Sequence, residues 1–79
     1  MTTKSIYSKL ERLTDEIGEL INELEEKRDA IEEKANDNDR DMTDKEQERY
    51  DDLDEQINAL NECIEHIQDA QYEIESWGY

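Results

Sequence analysis

The chain has 79 residues, 25 of them Asp or Glu and nine Lys or Arg, for a formal charge of −16. That length holds one domain at most, and an apolar fraction of 33% with no Phe and no Val is too lean for a deep globular core. At neutral pH such a charge repels nucleic acid, anionic lipid and other copies of the chain, which argues against direct DNA, RNA or membrane binding.

The first five residues, Met1-Thr2-Thr3-Lys4-Ser5, lack the apolar core of a signal peptide. Nowhere does an apolar run approach the ~18 to 20 residues that a bilayer crossing needs. The expected location is therefore the cytoplasm, and the single Cys63, unable to form an internal disulfide, fits a reducing compartment.

From Lys4 to Ala35 the apolar positions Ile6, Leu10, Leu13, Ile17, Leu20, Leu24 and Ile31 alternate steps of four and three, with Lys27 as the one lapse. No Pro occurs in the chain and only two Gly do, so helix is expected to prevail, with Gly18 as a weak point inside this first helix. Its surface mixes signs, as in Glu23 beside Lys27 and Arg12 near Asp15 and Glu16. The run Asn36-Asp37-Asn38-Asp39-Arg40-Asp41 follows, whose short polar side chains compete for local backbone groups, so the first helix is expected to stop near Ala35.

Thr43 with Glu46 three residues on is a capping-box signature, and Asp44 adds negative charge where the helix dipole favours it. The second helix then carries Tyr50, Leu53, Ile57, Leu60, Ile64, Ile67 and Ile74 on the same alternation, with Gln71 as its lapse. The expected fold is all-α: an antiparallel two-helix coiled-coil hairpin in a single domain, with helix one over about 4–35, a loop over 36–43 and helix two over about 44–77. Ile21, Cys63, Ala70 and Trp77 lie beside these seams and widen the apolar stripe, so that a second copy, giving a four-helix homodimer, or another partner is expected to cover it.

Charge is divided unevenly between the helices. All nine Lys and Arg lie at or before Arg49, so the last thirty residues hold nine carboxylates, from Asp51 to Glu75, and no Lys or Arg. Glu55, Glu62 and Asp69 fall opposite the second seam, with Asp51, Asp52, Glu65 and Glu73 on its flanks. These charges recur about every 5 to 6 Å along the helix, close to the spacing of phosphates along a nucleic-acid strand. A solvated face is the plain explanation of such a stripe. Like charges three and four residues apart nevertheless cost a few tenths of a kcal/mol each, and a purely structural hairpin would more often mix signs. The stripe together with Trp77 is the expected partner-binding site, and its expected partner is a basic nucleic-acid-binding protein.

Other chemistry finds less support. Asp37, Asp39, Asp41 and Glu48 have the spacing of an EF-hand loop, but Met42 stands where its glycine is required and Lys45 where a ligand belongs. Cys63 and His66 are three apart with no second ligand pair, and packing is the expected role of Cys63. Glu62 lies one turn before His66, a spacing that suits a surface ion pair. No phosphate loop, nucleophile elbow or metalloprotease motif occurs, so no catalytic residue, metal or cofactor is expected. Trp77 is expected to fold over the start of helix one near Ile6 and Tyr7, while Tyr79 has no assigned role.

Two resemblances follow from these residues. Met42 to Glu46, Arg49 to Asp51, Leu53, Asp54, Ile57, Leu60 and Ile64 together resemble the N-terminal helical scaffolding segment of tailed-phage major capsid proteins, which implies a structural coiled-coil or phage-assembly scaffold role. The small, acidic, helical profile of the whole chain is similar to that of phage-encoded anti-defence proteins, including anti-CRISPR proteins and DNA mimics. That likeness implies an inhibitor that occupies the basic channel through which an immune effector, such as a CRISPR effector, grips nucleic acid.

Overall fold

A computed structural model describes residues 2–78. Two helices, α1 (Thr3–Asp37) and α2 (Asp44–Ser76), pack along one another in a rod with extents of 57 × 16 × 15 Å. They run antiparallel: the Tyr7 hydroxyl donates to Glu75 Oε1 at 2.7 Å near the open end, and Arg28 Nη1 donates to Asp54 Oδ1 at 3.0 Å nearer the loop. Each step along α1 is thus matched by one step back along α2. The all-α helical hairpin expected from the periodicity is the fold observed.

Capping fixes the helix ends. The Thr2 hydroxyl accepts from the Ser5 amide at 3.1 Å, satisfying a donor that has no partner within α1. At the start of α2 the capping box is complete: Thr43 Oγ1 accepts from the Glu46 amide at 3.1 Å, and Glu46 Oε1 accepts from the Thr43 amide at 3.0 Å. Helix α1 runs two residues past its expected end at Ala35. The Asn38 side-chain amide donates to the Lys34 carbonyl and the Arg40 amide to the Ala35 carbonyl, so the polar run caps the last turn instead of unwinding it. Asp39 makes the turn at φ 53°, a left-handed conformation that Asp tolerates better than most residues.

The core is one seam thick. Ile21, Leu24, Leu53 and Ile57 form its centre, with Ile17, Ile31, Leu60 and Ile64 packed against them. Ala35, Ile67 and Ile74 are also buried, and no side chain among the described residues is fully sealed from solvent. The seam of α2 is the one read from the sequence. That of α1 is corrected by one column: Leu10, Ile17, Leu24 and Ile31 face α2 as expected, but their companions are Thr14, Ile21, Arg28 and Ala35 instead of Ile6, Leu13, Leu20 and Lys27. This rotation brings Arg28 to Asp54 and sets its guanidinium 5.9 Å from the centre of the Tyr50 ring. Leu13 and Leu20 are left 43% exposed. No described helix is long and apolar enough to cross a membrane.

Candidate acidic interface

The buried positions of α2 fix the direction of every other side chain on it. With Leu53, Ile57, Ile67 and Ile74 turned to α1, the positions half a turn away are Glu55, Glu62 and Asp69, and all three are exposed. Asp51 and Glu65 are exposed along one flank of that line, and Asp52 and Glu73 along the other. The seven carboxylates predicted from the sequence therefore do share one continuous face of α2.

Electrostatically this face is uncompensated. Among the described residues the ion pairs are Arg28 with Asp29 and Asp54, and Arg40 with Glu46, none of which touches the seven. Asp51 alone accepts a side-chain hydrogen bond, from Gln47 Nε2 at 2.9 Å, and Gln47 is neutral. Long-range potential adds along the stripe because no cation follows Arg49. Among the described residues the one carboxyl with a strong perturbation lies elsewhere: the Arg40 guanidinium, and then the Thr43 amide, hold Glu46 down at about 2.

Trp77, the eighth predicted residue, stands apart from this face. It caps α2, and its ring borders a shallow groove with Ile6, Ile74, Thr2 and Thr3. The expected approach to Ile6 is therefore present, but burial is not, since Trp77 remains 66% exposed. A two-helix end has no third element to close over an indole. Cys63 is corrected in the same way: it lies on the outer edge of the seam and is exposed, where packing was expected. His66 and Glu62 are both exposed and form no ion pair with each other. Tyr79 lies outside the described residues.

The acidic run of the loop is divided between elements, with Asp37 ending α1, Asp39 and Asp41 in the turn, and Glu48 inside α2. Among the described residues no three His, Cys, Asp or Glu side chains converge as metal ligands would. What the sequence reading missed is a second surface, the exposed column Ile6, Leu13 and Leu20 of α1, because it assigned those residues to the core. Comparison with known proteins finds no family model, curated protein or solved structure that matches the chain.

Proposed function

We propose that this is a non-catalytic acidic binding protein that inhibits a nucleic-acid-binding effector, of the anti-CRISPR or another anti-defence kind, by docking the acidic face of α2 on a basic DNA- or RNA-binding surface. The observation that carries this reading is the run of seven exposed, unpaired carboxylates on one side of a rigid helix. A helix holds such charges in fixed positions, so a groove lined with Lys and Arg can meet them without the ordering cost that a flexible acidic tail would carry. Association is steered by charge and weakens as added salt shortens the screening length, about 8 Å at physiological ionic strength.

The test is charge reversal at Glu55, Glu62 and Asp69, each to Lys. All three are exposed, so the hairpin persists, and the variant is compared with the unaltered chain for capture and inhibition of the effector. Loss of both supports the reading, and inhibition that survives the three substitutions overturns it.

A second reading, a structural coiled-coil or assembly module, is favoured by one observation, the exposed apolar column of α1. Under that reading the reversal at Glu55, Glu62 and Asp69 leaves activity unchanged, while charges placed at Leu13 and Leu20 abolish it.

A further inference from the structure

Seven-residue spacing places Ile6, Leu13 and Leu20 in one column on α1, and they are 36%, 43% and 43% exposed. In the register set by the Tyr7–Glu75 and Arg28–Asp54 bonds, this column is level with Trp77, Ala70 and Cys63 of α2, and Ile6 and Trp77 do border one groove. One long edge of the hairpin is thus apolar from its open end to its middle. Nearer the loop the same edge turns basic, with Lys27, Lys34 and Arg49 lining a second groove. The opposite edge is polar throughout its middle, where Glu11, Gly18 and Glu25 of α1 run beside Asn61 and Gln68 of α2.

We propose that the apolar edge is the interface of a homodimer, a four-helix bundle in which α1 of each copy lies antiparallel beside α2 of the other and both loops sit at the same end. The proposal is independent of the nucleic-acid-mimic reading.

Charge complementarity selects a second copy as the occupant, in this arrangement. Next to the apolar edge, α1 carries in order Lys9, Glu16, Glu23, Ala30 and Asp37. The matching levels of α2 are Glu73, His66, Ala59, Asp52 and Lys45. With α1 of one copy beside α2 of the other at these levels, Lys9 meets Glu73, Glu16 meets His66, Asp37 meets Lys45, and the other two levels set a carboxylate against alanine. No level opposes two carboxylates, although acidic residues outnumber basic ones 25 to nine. Toward the loop, Lys27 is within one turn of Asp52 of the second copy, so the basic stretch also finds a carboxylate.

The other two-fold arrangement, with loops at opposite ends and α1 beside α1, fails on both counts. It opposes Glu16 to Glu23 and Asp52 to Glu73, and it lays the apolar half of one copy on the basic half of the other.

Area is sufficient as well. A face of 57 by 16 Å offers roughly 900 Å², near the ~800 Å² that each partner buries in a standard interface. In such a dimer Trp77 is covered by the second copy, and Asp52 and Glu73 border the interface. Glu55, Glu62 and Asp69 remain outside on both copies, giving two acidic stripes on opposite sides.

Sedimentation equilibrium of the full chain is expected to return twice the 9.4 kDa chain mass. Leu13→Glu should raise the dissociation constant on the order of a hundredfold, as loss of a central apolar contact does. Its open position lets the variant hairpin keep its helical circular dichroism. Lys9→Glu should weaken the dimer, and Glu73→Lys added to it should restore association. Nitroxides at Asn38→Cys in a Cys63→Ser background should lie within about 30 Å of each other, given helix axes 8 to 10 Å apart. A single 9.4 kDa species, with the edge bare or covered by some other protein, would overturn the dimer. A dimer indifferent to Leu13→Glu overturns the surface, failure of Glu73→Lys to restore it overturns the charge register, and a label separation near the 57 Å rod length overturns the orientation.

Discussion

Ile57→Ala tests the thin core where it is best sealed. Ile57 is 3% exposed and belongs to the cluster of Ile21, Leu24 and Leu53. The substitution removes three carbons, worth about 0.8 kcal/mol each in lost transfer free energy, to which a cavity term is added. In a two-helix layer the neighbours can relax into the space, which places the expected cost near the lower end of the usual range, at about 3 kcal/mol. A domain of this size holds only about 4 to 12 kcal/mol in total, so the loss is large. It should appear as a fall of about 10 to 20 °C in the midpoint of thermal unfolding followed by far-ultraviolet circular dichroism, and as a lower urea midpoint with unchanged slope. Leu13→Ala is the control. On a single hairpin its 43% exposed side chain contributes little, and whatever loss it shows should arise through dimer dissociation and so depend on protein concentration. A cost below about 1 kcal/mol for Ile57→Ala would refute the seam described above.

The other predictions concern backbone and caps. At Gly18 an added Cβ meets nothing within 4 Å, so Gly18→Ala should stabilise the helix by about 0.5 to 1 kcal/mol, read as a raised urea midpoint. Thr43→Ala removes the cap that accepts the Glu46 amide and should cost about 1 kcal/mol in the same assay. Glu46 is held at about 2, below its ordinary 4.5, so its contribution is complete above pH 4.5 and is lost as pH falls toward 2. Glu46→Gln keeps the box geometry without the charge; its stability should lie below that of the unaltered chain at neutral pH and converge with it under acid, and a gap that persists below pH 2 would contradict the Arg40 pairing.

Much of the architecture can be read directly from the residues, and the reason is visible in α2. There the Leu and Ile residues fill one pair of columns only, so the periodicity names the seam without ambiguity, and Thr43 with Glu46 marks the start to the residue. Helix α1 is different because it carries three apolar columns. Leu10, Ile17 and Leu24 belong to the seam under either choice, but their companions can be the column of Leu13 and Leu20 or that of Thr14 and Ile21. Periodicity cannot separate two columns one residue apart, and hydrophobicity favours the wrong one. The choice rests on cross-helix bonds, Arg28 to Asp54 and Tyr7 to Glu75, which exist only once the register of the hairpin is set. Consequently the acidic face, defined by α2 alone, was legible in the sequence. Of the apolar edge, the α2 side of Cys63, Ala70 and Trp77 was legible as well, whereas the α1 column of Ile6, Leu13 and Leu20, which needs the register of both helices, was not.

The central proposal is that the carboxylates of α2 stand in for nucleic acid on a basic surface. Its most direct test is competition: an effector captured on the immobilised chain is challenged with an oligonucleotide that the effector itself binds. The account predicts that the oligonucleotide displaces the effector, and that the Glu55, Glu62 and Asp69 reversal prevents capture in the first place. An effector that stays bound under saturating nucleic acid, forming a ternary complex, would contradict it.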